Sequence, residues 1–174
     1  MAANQIYVYT GEGAGKTTAS LGLAMRSIGH RHKVVVIQFL KWWKHTGEYK
    51  IQKMLKPYYE VYQFGRKGWI GLKNLTDADK VLAHKALDFA VKIAKQKKPH
   101  LLILDEINLA LYCKLLTIKE VFQALNKLPK KTTVVLTGRY APKELIKKAD
   151  FVNEIKDIKH PLRAGIKAQK GIQY

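Results

Sequence analysis

The chain has 174 residues, with 32 Lys and Arg against 13 Asp and Glu and a formal net charge of +19. That length fits one domain, 1–174, with a sizeable core. No stretch approaches the roughly 18–20 apolar residues of a membrane helix, no basic-then-apolar leader opens the chain, and the lone cysteine, Cys113, excludes an internal disulfide and suits a reducing cytoplasm. Such a charge raises the expectation of an acidic partner: nucleic acid, an acidic electron-transfer protein or a carboxylate-rich substrate. Much of the lysine also falls where helices should end, at Lys95, Lys97 and Lys98, at Lys127, Lys130 and Lys131, and at Lys147 and Lys148. Cations there complement helix C-terminal dipoles.

Residues 5–9 read as a first strand. The stretch Tyr9-Thr10-Gly11-Glu12-Gly13-Ala14-Gly15-Lys16-Thr17-Thr18 follows, and a helix runs from Thr17 to about Ile28 with Gly29 as its cap. Strand, glycine-rich turn, Gly-Lys-Thr and helix is the layout of a phosphate-binding loop. Glycines let several amides converge on phosphate oxygens, and the helix start adds its free N–H groups and positive dipole end. Lys16 supplies a point charge, and the Thr17 hydroxyl can hold Mg²⁺. Thr10 stands where the usual first glycine belongs, so the loop is one residue short. Glu12 puts a negative charge beside the expected polyanion.

Lys33 to Phe39 reads as a buried parallel strand. A polar-aromatic loop, Leu40 to Glu48, leads to a short helix, Glu48 to Lys56. Tyr59 to Phe64 alternates as a third strand, and Gly65 to Gly71 form a glycine-rich loop around Trp69. Thr76, with Asp79 three positions on, caps a helix from Asp77 to about Gln96. Its apolar positions, Val81 among them, imply deep burial.

His100-Leu101-Leu102-Ile103-Leu104-Asp105-Glu106 reads as a buried strand that delivers two carboxylates to its C-terminal edge. Ligands bind at that edge in open α/β sheets, and a carboxylate there usually governs the Mg²⁺ of a phosphate loop. Ile107 to Leu115 looks helical. Thr117-x-x-Glu120 is a capping box for a helix to Leu128. Thr132 to Leu136 is another buried strand, ending at Thr137-Gly138-Arg139. Arg139 reaches the same edge as Asp105 and can clamp a phosphate or carboxylate. Pro142 opens a helix to Lys148, and Asp150 to Ile155 reads as a last core strand.

Strands alternate with helices throughout. The expected architecture is α/β: a P-loop NTPase (RecA-like) arrangement, a mostly parallel sheet with helices on both faces. Magnesium-dependent nucleotide binding follows. A guanine-reading Asn-Lys-x-Asp is missing, because Asn126-Lys127-Leu128-Pro129 lacks the acid. The evenly spaced glycines do not fit a dinucleotide fingerprint, and the histidines and single cysteine offer no zinc spacing. A small kinase and a nucleic-acid-binding ATPase are the competing readings.

Over almost its whole length the chain resembles the P-loop class of ATP:corrinoid adenosyltransferases. The resemblance lies in the short loop Gly11-x-Gly13-x-Gly15-Lys16-Thr17-Thr18-Ala19; in Val36-Ile37-Gln38-Phe39-Leu40-Lys41 followed by Gly47-Glu48; in Leu104-Asp105-Glu106; in Thr137-Gly138-Arg139; in Ala149-Asp150 and Lys159-His160; and in the tail Gly165-Ile166-Lys167-Ala168-Gln169-Lys170-Gly171-Ile172. It implies an enzyme that transfers the 5′-deoxyadenosyl group of ATP to the Co(I) of a corrinoid and releases triphosphate, in adenosylcobalamin biosynthesis or salvage. It implies ATP contacts from Gly11, Glu12, Gly13, Ala14, Gly15, Lys16, Thr17, Thr18 and Arg139. It assigns Mg²⁺ to Thr17, Asp105 and Glu106, catalysis to Lys16 and Glu106, and corrinoid contact to Trp69. A homodimer and an acidic, flavodoxin-like reductant are further implications, while nucleic acid and membrane are not expected partners.

Two positions and the start of the chain depart from the family pattern. Gly71 replaces a second aromatic after Trp69, and Ala14 replaces a frequent lysine. The first strand begins so early that no N-terminal segment is expected to cover the site.

Overall fold

Three apolar runs set the centre of the fold. The computed structural model describes residues 4–68, 72–161 and 165–173. Strands β2 (Val34–Phe39), β4 (Leu101–Asp105) and β5 (Thr133–Thr137) are almost wholly buried. Their β-branched and leucine side chains pack on both faces of the sheet. Each fully buried one contributes roughly 1.5–3 kcal/mol relative to exposure. With β1 (Ile6–Thr10), β3 (Tyr59–Phe64) and β6 (Phe151–Glu154) they form one parallel sheet in the order β3-β2-β4-β5-β1-β6.

The two faces have different covers. Helix α1 (Lys16–Gly29) packs Ala24, with Leu21 and Ile28, onto Val34, Val36, Leu101, Ile103 and Val135. A short α2 (Gly47–Lys50) precedes β3. On the other face lie α3 (Asp77–Lys97), α4 (Ile107–Tyr112), α5 (Ile118–Asn126) and α6 (Lys143–Lys148). Helix α3 buries a stripe rich in alanine (Ala83, Ala86, Ala90 and Ala94), which lets it lie close to the sheet. Both capping boxes form: Asp79 accepts from the Thr76 N–H at 2.8 Å, and Glu120 accepts from the Thr117 N–H at 2.7 Å.

Three expectations need correction. The segment after Glu48 holds only one α-helical turn, continued by a 3₁₀ turn at Ile51–Lys53, and packs Tyr49 and Leu55 against the α1 side of the sheet with no fully buried residue in either turn. Val81 is 51% exposed, since it points away from the sheet. The last strand is not core. It pairs with β1 alone and forms the sheet edge, leaving Phe151 43% and Val152 37% exposed. Among the described residues no helix is long and apolar enough to cross a membrane.

Candidate functional site

The strands are parallel, so the loops after β1, β2, β4 and β5 open on one edge of the sheet. Two of them supply the expected motifs. Gly11 and Gly15 take φ values of +100° and +103°, a region that favours glycine. Gly13 has a different reason to be small. A Cβ there would stand 2.8 Å from the Asp157 nitrogen and the Ile155 oxygen. The loop is bound to this segment: Gly13 N–H donates to the Ile155 carbonyl and Ala14 N–H to the Asp157 carboxylate, both at 2.8 Å. These bonds leave the amides from Gly15 onward, at the start of α1, to face a ligand.

Lys16 folds over the loop. Its ammonium donates to the carbonyls of Gly11 at 2.8 Å and Gly13 at 2.5 Å. Burial pushes its pKa below the ordinary lysine value, opposed by the Glu106 charge. Thr17 donates its hydroxyl proton to Asp105 Oδ1 at 2.8 Å. Glu12 does not project its charge freely. The Tyr140 hydroxyl bonds to it, which raises the Tyr140 pKa, and Tyr140 stacks on Tyr112 with ring centroids 4.2 Å apart.

Asp105 is completely buried beneath these groups. Four donors meet its carboxylate. Thr17 and Thr137 serve Oδ1, the latter at 2.6 Å, while Gln38 at 3.0 Å and Lys41 at 2.7 Å serve Oδ2. Burial by itself would raise its pKa, but the Lys41 charge and these hydrogen bonds hold it below the usual aspartate value. Strand β5 lies between β1 and β4, so Thr137 is the bridge from one motif strand to the other.

Glu106 takes a left-handed φ of +64° and turns the chain from β4 into α4. Its N–H donates to Thr137 Oγ1 at 3.1 Å. Burial and the neighbouring Asp105 raise its pKa, against Lys41, Lys16 and Arg139. Gly138 leaves room for it, since a Cβ there would stand 3.2 Å from Glu106 Oε2.

A cavity of about 800 Å³ opens above this floor. Gly13 to Thr18, Lys41, Glu48, Glu106 and Arg139 line its polar side. Leu21, Ala24, Met25, Ile51, Leu55 and Tyr59 line an apolar side, and the tail residues Gly171 to Gln173 border it. Of the residues expected from sequence, Gly13 to Thr18, Glu106 and Arg139 therefore meet in one place, with Asp105 directly below. Gly11 and Glu12 shape the loop from behind. Trp69 lies outside the described residues.

Gln38, Lys41, Thr137 and Asp157, none of them marked by a motif role in the sequence, complete the site. Gln38, a polar residue within the apolar run of β2, and Thr137, at the end of β5, carried a faint signal. The lysine-rich segments preceding β4, β5 and β6 lie at the opposite edge of the sheet from the cavity.

A family model described as ATP:corrinoid adenosyltransferase BtuR/CobO/CobP matches residues 2–174. The corrinoid adenosyltransferase of Escherichia coli strain K12 is 35% identical over 169 residues, covering 97% of this chain and 85% of that protein. One from Sinorhizobium sp is 39% identical over 171 residues, covering 97% and 79%. Among solved structures, a KaiC-like protein from Pyrococcus horikoshii OT3 superposes with a TM-score of 0.56 over 90% of this chain and 74% of that one. At 15% identity that likeness shows the fold alone.

Proposed function

Since the chain belongs to the ATP:corrinoid adenosyltransferase family, we propose a residue-level account of how it carries that reaction, in a single domain over 1–174. The enzyme transfers the 5′-deoxyadenosyl group of ATP to the Co(I) of a corrinoid and releases triphosphate. The observation that carries the account is the floor of the cavity. A buried lysine, a helix start and a Thr–Asp hydrogen bond converge there beneath an apolar wall.

Co(I) is itself a strong nucleophile, so no general base is needed. The protein must align the 5′ carbon with cobalt and stabilise the leaving triphosphate. Lys16, the amides from Gly15 to Thr18 and Arg139 hold the phosphates. The loop's remaining members, Gly11, Glu12, Gly13 and Ala14, fix its shape. The apolar side takes the nucleoside, and the corrinoid meets it at the mouth.

The donor set suits Mg²⁺. Thr17 donates a hydrogen bond to Asp105, so its oxygen keeps acceptor capacity for a metal once the Lys41 ammonium, 3.3 Å away, moves off, and Glu106 adds a carboxylate on the cavity wall. Thr17 and Glu106 would hold the ion, while Asp105, expected as a third ligand, would orient Thr17 from beneath because its own acceptor positions are already filled. When bound, Mg²⁺ neutralises charge on the departing triphosphate. Trp69 contacts the corrinoid and assists Co(II) reduction. Trp69→Ala should slow turnover from Co(II) while sparing turnover from chemically reduced Co(I); equal effects on both would remove that role.

An acidic, flavodoxin-like reductant and a homodimer belong to the same reading. The net charge of +19 favours encounter with an acidic protein, although the lysine-rich segments before β4, β5 and β6 lie away from the cavity, and the exposed edge strand β6 supports the dimer. A cytoplasmic location fits the single free cysteine. The test is an anaerobic assay with ATP, Mg²⁺ and reduced cob(I)alamin. Intact triphosphate and a light-sensitive adenosylated corrinoid are expected. ADP without alkylated cobalt would overturn the reading.

A further inference from the structure

Lys41 Nζ lies 2.7 Å from Asp105 Oδ2 and 3.3 Å from Thr17 Oγ1. It therefore joins the two groups that pair a phosphate loop with its acidic strand. An ionised carboxylate offers about four acceptor positions. Those of Asp105 are filled by Thr17, Thr137, Gln38 and Lys41. The same ammonium also donates to the Thr17 hydroxyl at 3.3 Å. While Lys41 remains, the Asp105 carboxylate has no free acceptor position and Thr17 shares its oxygen with an ammonium, so a divalent ion meets a cation already in place.

The placement of Lys41 is built into the backbone. Leu40 N–H still pairs with the Phe64 carbonyl at 3.0 Å, continuing the β2–β3 register, and its φ of +58° then turns the chain at the end of β2. Gly65 makes room for that turn, because a Cβ there would stand 2.6 Å from the Lys41 nitrogen. The two charges differ in freedom. The Asp105 side chain is 0% exposed and fixed, whereas that of Lys41 is 28% exposed and borders the cavity. Only the lysine has somewhere to go.

We propose that Lys41 is a tethered stand-in for the divalent cation. Its ammonium holds the Asp105–Thr17 position in the nucleotide-free enzyme and yields it when a metal–nucleotide complex arrives. The complex brings the replacement ion for the carboxylate and also an anionic partner, the triphosphate, for the displaced ammonium. The metal alone brings only the first. Metal and ATP therefore bind as a unit, and the buried carboxylate never stands without a cation, which would be strongly unfavourable. The proposal rests on the reading that Thr17 and Glu106 hold the metal.

The test uses Mn²⁺, followed by electron paramagnetic resonance, with the full chain. Nucleotide-free wild type should bind Mn²⁺ weakly, and Lys41→Met should bind it about tenfold more tightly or better, within the range by which neighbours tune metal affinity. Adding ATP should produce tight Mn²⁺ binding in wild type that Thr17→Val loses. If ATP recruits Mn²⁺ but Lys41→Met gains nothing without nucleotide, the stand-in role fails and the metal reading survives. If ATP recruits no Mn²⁺ to wild type, the metal reading itself fails and the stand-in role falls with it.

A second measurement needs no variant. In a crystal of wild type with ATP and Mn²⁺, anomalous scattering should place the ion beside Thr17, with Lys41 withdrawn from Asp105 toward the phosphates. Lys41 still bonded to both Asp105 and Thr17, with the ion elsewhere, would overturn the proposal.

Discussion

The Asp157 carboxylate accepts the Ala14 N–H at 2.8 Å, tying the phosphate loop to the segment that follows the edge strand. An acid beside a polyanion site works against affinity, since a unit charge acting over 8 Å in water is worth roughly 0.5 kcal/mol. Asp157→Asn keeps an acceptor for the amide and removes the charge. It should lower the KM for ATP about twofold on that estimate. Steady-state kinetics at low ionic strength would read the change, and a raised KM would show that the charge serves the loop.

Glu106 and stability pull in opposite directions. Burial and Asp105 raise its pKa above the ordinary 4.5. Folding thus takes up a proton between that ordinary value and the raised one. Its contribution to stability falls as pH rises through this window and stays low above it. Glu106→Gln should raise the melting temperature of the ligand-free protein at pH 8 while reducing adenosyl transfer by about tenfold or more. Calorimetry beside the triphosphate assay checks both arms.

Glu120 gives the opposite pH dependence. Hydrogen bonds from Thr117 hold its pKa at about 2, below the ordinary 4.5. Its stabilisation of α5 is present above 4.5 and is lost as pH falls through that window. The side chain is more than a third exposed and screened by solvent, so the effect on the whole molecule is small, about 0.5–1 kcal/mol. Glu120→Gln should flatten the acid limb of a denaturation series between pH 4.5 and 2 by that amount.

At Gly11 two constraints coincide. Its φ is +100°, and a Cβ would collide with the Ile155 backbone. Gly11→Ala should cost about 1–3 kcal/mol of stability, the range for residues forced into a disfavoured conformation. It should also weaken ATP binding by displacing the Lys16 ammonium from the Gly11 carbonyl. Denaturant unfolding and nucleotide titration would measure the two. Unchanged ATP affinity would show that the loop tolerates the shift.

Tyr140→Phe should raise the KM for ATP a few-fold, about twofold to fivefold, because Glu12 loses its hydrogen-bond donor and becomes freer to approach the phosphates. Comparing it with the Glu12→Gln, Tyr140→Phe double variant isolates the charge. The double variant, which has no charge at position 12, should bring the KM back to the wild-type value or below it.

Much of this molecule is local in origin. The phosphate loop, the Asp105-Glu106 pair, Arg139 and both capping boxes are legible in sequence because each needs residues at short fixed spacings on one element or turn. The alternation of apolar runs with helix signals likewise gave an α/β order, because side-chain period reports which faces an element buries. Neighbour relations across the sheet carry no such mark. Tertiary structure alone put β5 between β1 and β4, so that Thr137 could reach Asp105. It placed the turn at Leu40 so that Asp105 gained a lysine 64 positions away. It also made β6 an edge, where the same apolar residues that suggested a core strand remain open to solvent. The lysines obeyed local helix-end chemistry, yet the parallel register gathered them on the side away from the cavity. Those outcomes depend on the order in which strands pair, which hydrophobic period does not encode.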